Sequence, residues 1–267
     1  MLRKTALRSV SCTAALLLLA TAPLAMAGNK EDLMAGVQKL DDSASYSWTT
    51  TSQGGRGGNM DGKTQKDGPT VITIQGRNGP MQVVMMGDQI VAQTQDGWQN
   101  LSEMQNAQGP GRFMAMMLRN METPASQIKT YLKDVQDVNK ADDGSYSVDM
   151  PEDTAKRMLT FGGRRRGGGG GANGGGNGGG ADANGGGGPQ TSNAKATGKF
   201  WLNSDGVLNK MEVHVTGTVS FNGNDRDVDR TTTTEIKDIG STTVDVPADA
   251  KAKLSGGGGG ATTQPTP

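Results

Sequence analysis

The sequence predicts an α+β fold, with helices laid against an antiparallel sheet, and three observations predict it. In residues 208–221, Met211, Val213, Val215, Val219 and Phe221 alternate with Glu212, His214, Thr216, Thr218 and Ser220. That period of two is the mark of a strand with one buried face. Residues 81–86 and 90–95 are apolar-rich runs joined by Gly87-Asp88-Gln89, a hairpin signal. Residues 31–40 place Leu33, Val37 and Leu40 at helical spacing.

The other elements follow in order. Tyr46, Trp48 and Thr50 alternate as on a strand, and residues 71–75 are β-branched. Asp96-Gly97 marks a turn ahead of Trp98. Phe113, Met117 and Met121 recur four apart and predict a helix over 113–121. Thr123-Pro124 is a helix start, followed by Ile128, Leu132 and Val135. Residues 135–139 and 145–149 suit a hairpin around Asp142-Asp143-Gly144. Pro151 opens a short helix carrying Ala155, Met158 and Leu159, ended by Gly162. A strand over 199–203, a turn at Ser204-Asp205-Gly206, the long strand, a Thr-rich partner over 229–238 and a helix over 247–254 complete the domain.

Residues 1–27 read as a secretory signal peptide: Arg3, Lys4 and Arg8, then the apolar run 14–19, then Pro23 and the small-residue site Ala25-Met26-Ala27. The run is too short for a membrane span, which needs about 20 apolar residues. Arg8-Ser9-Val10-Ser11 precede Cys12, which is not the apolar approach of a lipid-anchor site. Cleavage near Ala27 would release a periplasmic or secreted protein with no integral span. Cys12 is the only cysteine, so the mature chain would have no disulfide, zinc–thiolate site or thiol nucleophile. The precursor is formally neutral, 27 Lys+Arg against 27 Asp+Glu, and without the leader the balance is 24 against 27. That excludes a broadly basic nucleic-acid or polybasic membrane binder.

Glycine supplies 42 of 267 residues, while apolar types reach 33% and aromatics 4%. Much of the glycine lies in a tract over 162–188 and a second over 256–260, which lack the apolar side chains to offset chain entropy. The expected organisation is therefore a first domain part over 28–161, a disordered insertion over 162–193, a second part over 194–254 and a disordered tail over 255–267. About 190 residues remain for a core.

Four motifs invite functional readings. Residues 57–64 match the P-loop spacing and end in Gly62-Lys63-Thr64, but Gly68-Pro69 leaves no room for the helix that presents amides to phosphate. A mobile strand-to-strand loop is expected there instead. Asp225, Asp227 and Asp229 imitate the start of a calcium loop, yet Arg230 stands where glycine is required and Ile236 where the bidentate Glu belongs. A solvated turn is the expectation. Arg164-Arg165-Arg166 within glycines, with Gly54-Gly55-Arg56-Gly57-Gly58, resembles Arg-Gly segments of RNA-binding proteins. One cluster without aromatics in an exported chain reads as a linker, with no nucleic-acid partner. His214 has no second histidine or cysteine to share a metal, so no metal site or cofactor is expected. It also lacks a nucleophile motif and an orienting acid, which argues against an enzyme.

Eight of the fifteen methionines fall between residues 81 and 121: Met81, Met85, Met86, Met104, Met114, Met116, Met117 and Met121. Met114, Met116 and Met117 do not repeat as a copper-ligand array. Ordinary core or a deformable apolar cavity is expected, since unbranched Met adapts to varied partners.

The order of pieces also carries a resemblance. A helix after a leader, Tyr46-Ser47-Trp48, residues 81–86 with Gly87-Asp88-Gln89-Ile90, and Asp96-Gly97-Trp98 belong to it. So does the ending Asp238-Ile239-Gly240 with Val244-Asp245-Val246-Pro247-Ala248-Asp249-Ala250. Together they resemble the exported LolA/LolB-like superfamily, which includes periplasmic lipoprotein carriers and LppX-type lipid-binding lipoproteins. The resemblance implies a half-open antiparallel β-barrel or curved sheet, its concave face covered by helices, binding a lipid or lipoprotein acyl chain. The expected cavity residues are Trp48, Met85, Trp98, Met211 and Val213 on the sheet and Phe113, Met114 and Met117 above it. The competing expectation is an envelope or cell-surface structural module that contacts envelope proteins through a fully packed sheet.

Overall fold

The computed structural model describes residues 28–54, 58–76, 79–106, 110–160, 190–221 and 224–256, without the side chains of Pro110, Phe113 and Phe221. The expected leader, nearly all of the glycine insertion and the tail beyond 256 lie outside the described residues. The architecture is α+β: an eleven-stranded antiparallel sheet, curved and unclosed, with helices packed on it.

Helix α1 (Asn29–Asp41) buries Leu33, Val37 and Leu40, as their spacing requires. Glu31 and Asp32 in its first turn and Lys39 in its last suit the helix dipole. A meander follows: β1 (Ser45–Gln53), β2 (Met60–Gln65), β3 (Thr70–Gly76), β4 (Gly79–Met86), β5 (Gln89–Thr94) and β6 (Gly97–Asn100). Helices α2 (Leu101–Asn106), α3 (Pro110–Leu118) and α4 (Pro124–Leu132) then lead to β7 (Asn139–Lys140) and β8 (Tyr146–Asp149). Helix α5 (Glu152–Leu159) precedes the long strands β9 (Gln190–Leu202), β10 (Leu208–Phe221) and β11 (Asn224–Lys237), and α6 (Ala248–Gly256) ends the described chain. The strand order is β6-β5-β4-β3-β2-β1-β11-β10-β9-β8-β7, so the first and last strands in sequence meet at the centre.

One face of the sheet carries Tyr46, Trp48, Ile72, Val83, Ala92, Phe200, Met211, Val213, Val215 and Ile236 into the main core. Residues of α1 to α5 close over it, Met104, Leu118, Ile128, Leu132 and Leu159 among them. Thr123 caps α4, as the Thr-Pro start predicts, and accepts a bond from the Ser126 amide.

Several expectations need correction. Residues 60–65 are not a loop but strand β2, its alternation concealed by Gly62. Asp225, Asp227 and Asp229 lie within β11 and not in a turn. Asp225 and Asp227 accept bonds from Ser220 and Thr218 across the hairpin, and Asp229 meets His214 at 2.8 Å, an acid partner for the histidine that the sequence did not show. The hairpin strand expected over 135–139 shrinks to Asn139–Lys140, because the Val135 amide is used by the carbonyl of Leu132 at the end of α4. Strand β9 begins at Gln190, nine residues before the strand start expected at residue 199. Its inward residues Ala194, Ala196 and Gly198 are small and give no hydrophobic alternation.

Not every helix covers the concave face. Helix α6 lies on the opposite one, where Val84 and Val91 are buried beneath Ala250 and Leu254. The cause is legible in β4 and β5: Val83-Val84 and Ile90-Val91-Ala92 are continuous apolar runs that need cover on both sides.

Candidate functional site

The candidate site is the concave face and the helices over it. Trp48 is buried there, tilted against Tyr46 at 5.7 Å and 49° between the rings. Across the sheet Trp48 pairs with Gly62 on one side and Ile236 on the other. Burial raises the Tyr46 phenol above its ordinary pKa, opposed by hydrogen bonds with the Thr123 side chain and the Ala125 backbone at the start of α4. Met211 faces Phe200, and Val213 faces Gly198. Both Met211 and Val213 are buried in the main core.

The other expected cavity residues divide. Met85 and Met114 are half-buried against the same core. Met117 is 40% exposed, on the outer side of α3. The side chain of Phe113 lies outside the description. Trp98 is on the wrong face: it pairs with Gln93 and packs with Val84 and Val91 under α6. The two-residue period puts Trp98 on the face of Gln93 and Val91 rather than that of Ala92, and the sequence does not show which parity faces inward. Trp48, Met211 and Val213 are thus brought together as core, with Met85 and Met114 at its margin.

An apolar ladder unforeseen in the sequence runs across three strands of this face. Met60 pairs with Ile74, and Ile74 with Met81. All three are half-buried, packed on the core from its edge. Its neighbour toward the sheet centre is a hydroxyl pair, Thr50 with Thr234 at 2.8 Å. Beyond that, Arg230 donates from Nη2 to the Met158 carbonyl at 2.8 Å and ties α5 to β11. Burial lowers the Arg230 guanidinium's pKa, partly offset by Tyr131. Met60 belongs to the segment that imitates a P-loop. The readable signal was the alternation Met60-Gly62-Thr64, with Thr64 bonded to Thr70 at 2.6 Å.

The opposite face carries a polar cleft of about 380 Å³ between β1–β4 and Asp245. Ser47, Thr49, Asp61, Lys63, Thr73 and Gln82 line it. Thr49 donates to Asp61 at 2.9 Å, and Ser47 to Asp238 at 2.9 Å, so its hydroxyls serve the sheet. Lys63 of the P-loop match stands here in mid-strand, with no helix following to present amides.

Helix α3 directs Met114 toward the core and leaves Met116 and Met117 exposed, so the three thioethers do not converge on one ion. Among the described residues no group of three His, Cys, Asp or Glu side chains is placed to hold a metal. Among them, too, no helix is long and apolar enough to cross a membrane.

No protein-family model matches the sequence, nor does any curated protein. Among solved structures, LprF from Mycobacterium bovis is similar at 10% identity, over 83% of this chain and 97% of that chain, with a TM-score of 0.39. The fold and the candidate site stand on the strand register and packing described above.

Proposed function

We propose that this chain is an exported, non-catalytic binding module for an apolar ligand, a lipid or an acyl chain, held at the concave face. The observation that carries the reading is the half-buried ladder Met60–Ile74–Met81, extended by Met85 and Met114. It is the margin at which the closed core gives way to adaptable, partly exposed apolar side chains. Burial of ten acyl methylenes is worth about 8 kcal/mol before the costs of association, enough for binding without a charged anchor. The leader-like residues 1–27 support export.

A second reading draws on a different observation. Trp48, Met211 and Val213 are closed beneath the helices, as in a sheet whose interior is its own filling. On that reading the chain is an envelope or cell-surface interaction module, spaced from its surroundings by the glycine tracts.

Native mass spectrometry of protein purified from its own envelope, followed by solvent extraction, separates the two. The binding reading expects a stoichiometric acyl adduct lost on extraction, and uptake of a fluorescent fatty acid that weakens when Met60 and Met81 are changed to Gln. An apo mass with no uptake by the intact protein overturns it and selects the interaction module.

A further inference from the structure

We infer that α3 is a docking element for an anionic lipid surface. Among the described residues three large apolar side chains are exposed, Met86, Met116 and Met117, and two of them sit side by side on this one helix: Met116 is 60% exposed and Met117 40%. Ala115 and Leu118, on the inner side, are fully buried and hold the helix to the core. Among the described residues no other element covers these two methionines on the outward side of α3.

Charge fixes the occupant. Arg112 and Arg119 are both exposed; Arg112 and Met116 stand at i and i+4 on α3, and Arg119 follows one residue past its end, where its amide still bonds the Ala115 carbonyl. Neither guanidinium has a carboxylate partner among the described residues. From Glu103 to Glu122 the chain carries no acidic residue between those two, although acids and bases balance over the whole sequence. Glu103 is itself engaged, with Lys253 at 2.6 Å and with the Asn100 amide at 2.9 Å. Exposed thioethers between unpaired guanidiniums fit the boundary of a bilayer, where methionines enter the acyl region and arginines meet phosphate. One short helix supports weak, reversible docking of the kind needed to collect or deliver a ligand at a membrane, though the inference stands on the surface alone and not on the cargo reading.

The test is vesicle flotation with the full chain. Phosphatidylcholine vesicles are compared with vesicles in which about a third of that lipid is phosphatidylglycerol. Partitioning is expected on the anionic vesicles and is expected to fall with salt. Each of Arg112→Gln and Arg119→Gln should weaken it about fivefold. The pair Met116→Ser and Met117→Ser should weaken it about tenfold or more with an unchanged circular dichroism spectrum. Changing Arg164, Arg165 and Arg166 to Gln should leave it unaltered. Absence of partitioning, its survival in the methionine and arginine variants, or its loss in the Arg164–Arg166 variant would each overturn the inference. The fatty-acid uptake assay is read separately, so docking without uptake sinks the cargo reading alone, and uptake without docking sinks this one.

Discussion

The indole of Trp48 occupies the space that a side chain at Gly62 would need. A Cβ built on Gly62 overlaps Cζ2 and Cε2 of the indole, and the two residues are direct partners across β1 and β2. Glycine is required here by close approach and not by an unusual φ. Gly62→Ala should therefore cost about 1–3 kcal/mol, because the indole it would displace is itself buried in the core. Urea unfolding followed by circular dichroism checks this, and a midpoint equal to that of the unaltered protein would refute the packing described.

Tyr46 links the sheet to the start of α4, and its titration has a definite sign. Burial raises the folded-state pKa above the unfolded value near 10. The contribution to stability is present in full below the unfolded pKa and disappears as pH rises through the folded one. Thermal stability should fall above about pH 10 by more in the unaltered protein than in Tyr46→Phe.

Asn193 adopts φ +54° at a register shift where β9 spends one residue more than β10 between the Thr216 and Thr218 pairings. This is a bulge, and asparagine tolerates the left-handed backbone it needs. Asn193→Gly should be neutral or slightly stabilising, while Asn193→Val should cost about 1–2 kcal/mol. Denaturant midpoints of the two variants give the comparison; equal losses would point to a role for the amide group instead.

The orientation of α3 can be tested on adjacent residues. Leu118→Ala should cost about 2–5 kcal/mol, since its side chain is fully buried. Met117→Ala should change stability by less than about 0.5 kcal/mol. Equal effects in thermal unfolding would mean that the helix sits rotated from the arrangement described.

Long-period patterns were the legible part of the fold. Helix α1, the β4–β5 hairpin, the Thr-Pro start of α4 and the alternating strand β10 all follow from residue spacing. What escaped had weak or double-valued patterns. Strand β2 carries glycine at its central inward position, because Trp48 fills that space from the neighbouring strand. The inward positions Ala194, Ala196 and Gly198 of β9 are small beneath large neighbours, and a Cβ on Gly198 would crowd Phe200 and Met150. Helix α2 was written in a reciprocal cap, Asn100 with Glu103 at 2.9 Å in each direction, that spans one turn and has no periodicity to announce it. At the candidate site, methionine enrichment was visible, but sheet parity was not. Trp98 therefore went to the wrong side, and the ladder Met60–Ile74–Met81 became apparent only through the register.

The pairing of β1 with β11 sets the order in which the molecule can be assembled. Strands β1 to β6 join through successive neighbours, as do β9 to β11, so each group can zip up through short-range contacts. The seam between them aligns Ser47 with Lys237 and Gln53 with Thr231, nearly the whole folded length apart in sequence. Until β11 has left the ribosome, β1 presents a raw edge and Trp48 lacks its partner Ile236. The core thus closes late, as a single long-range event, and a chain stopped short of Lys237 would hold two half-sheets with open, aggregation-prone edges.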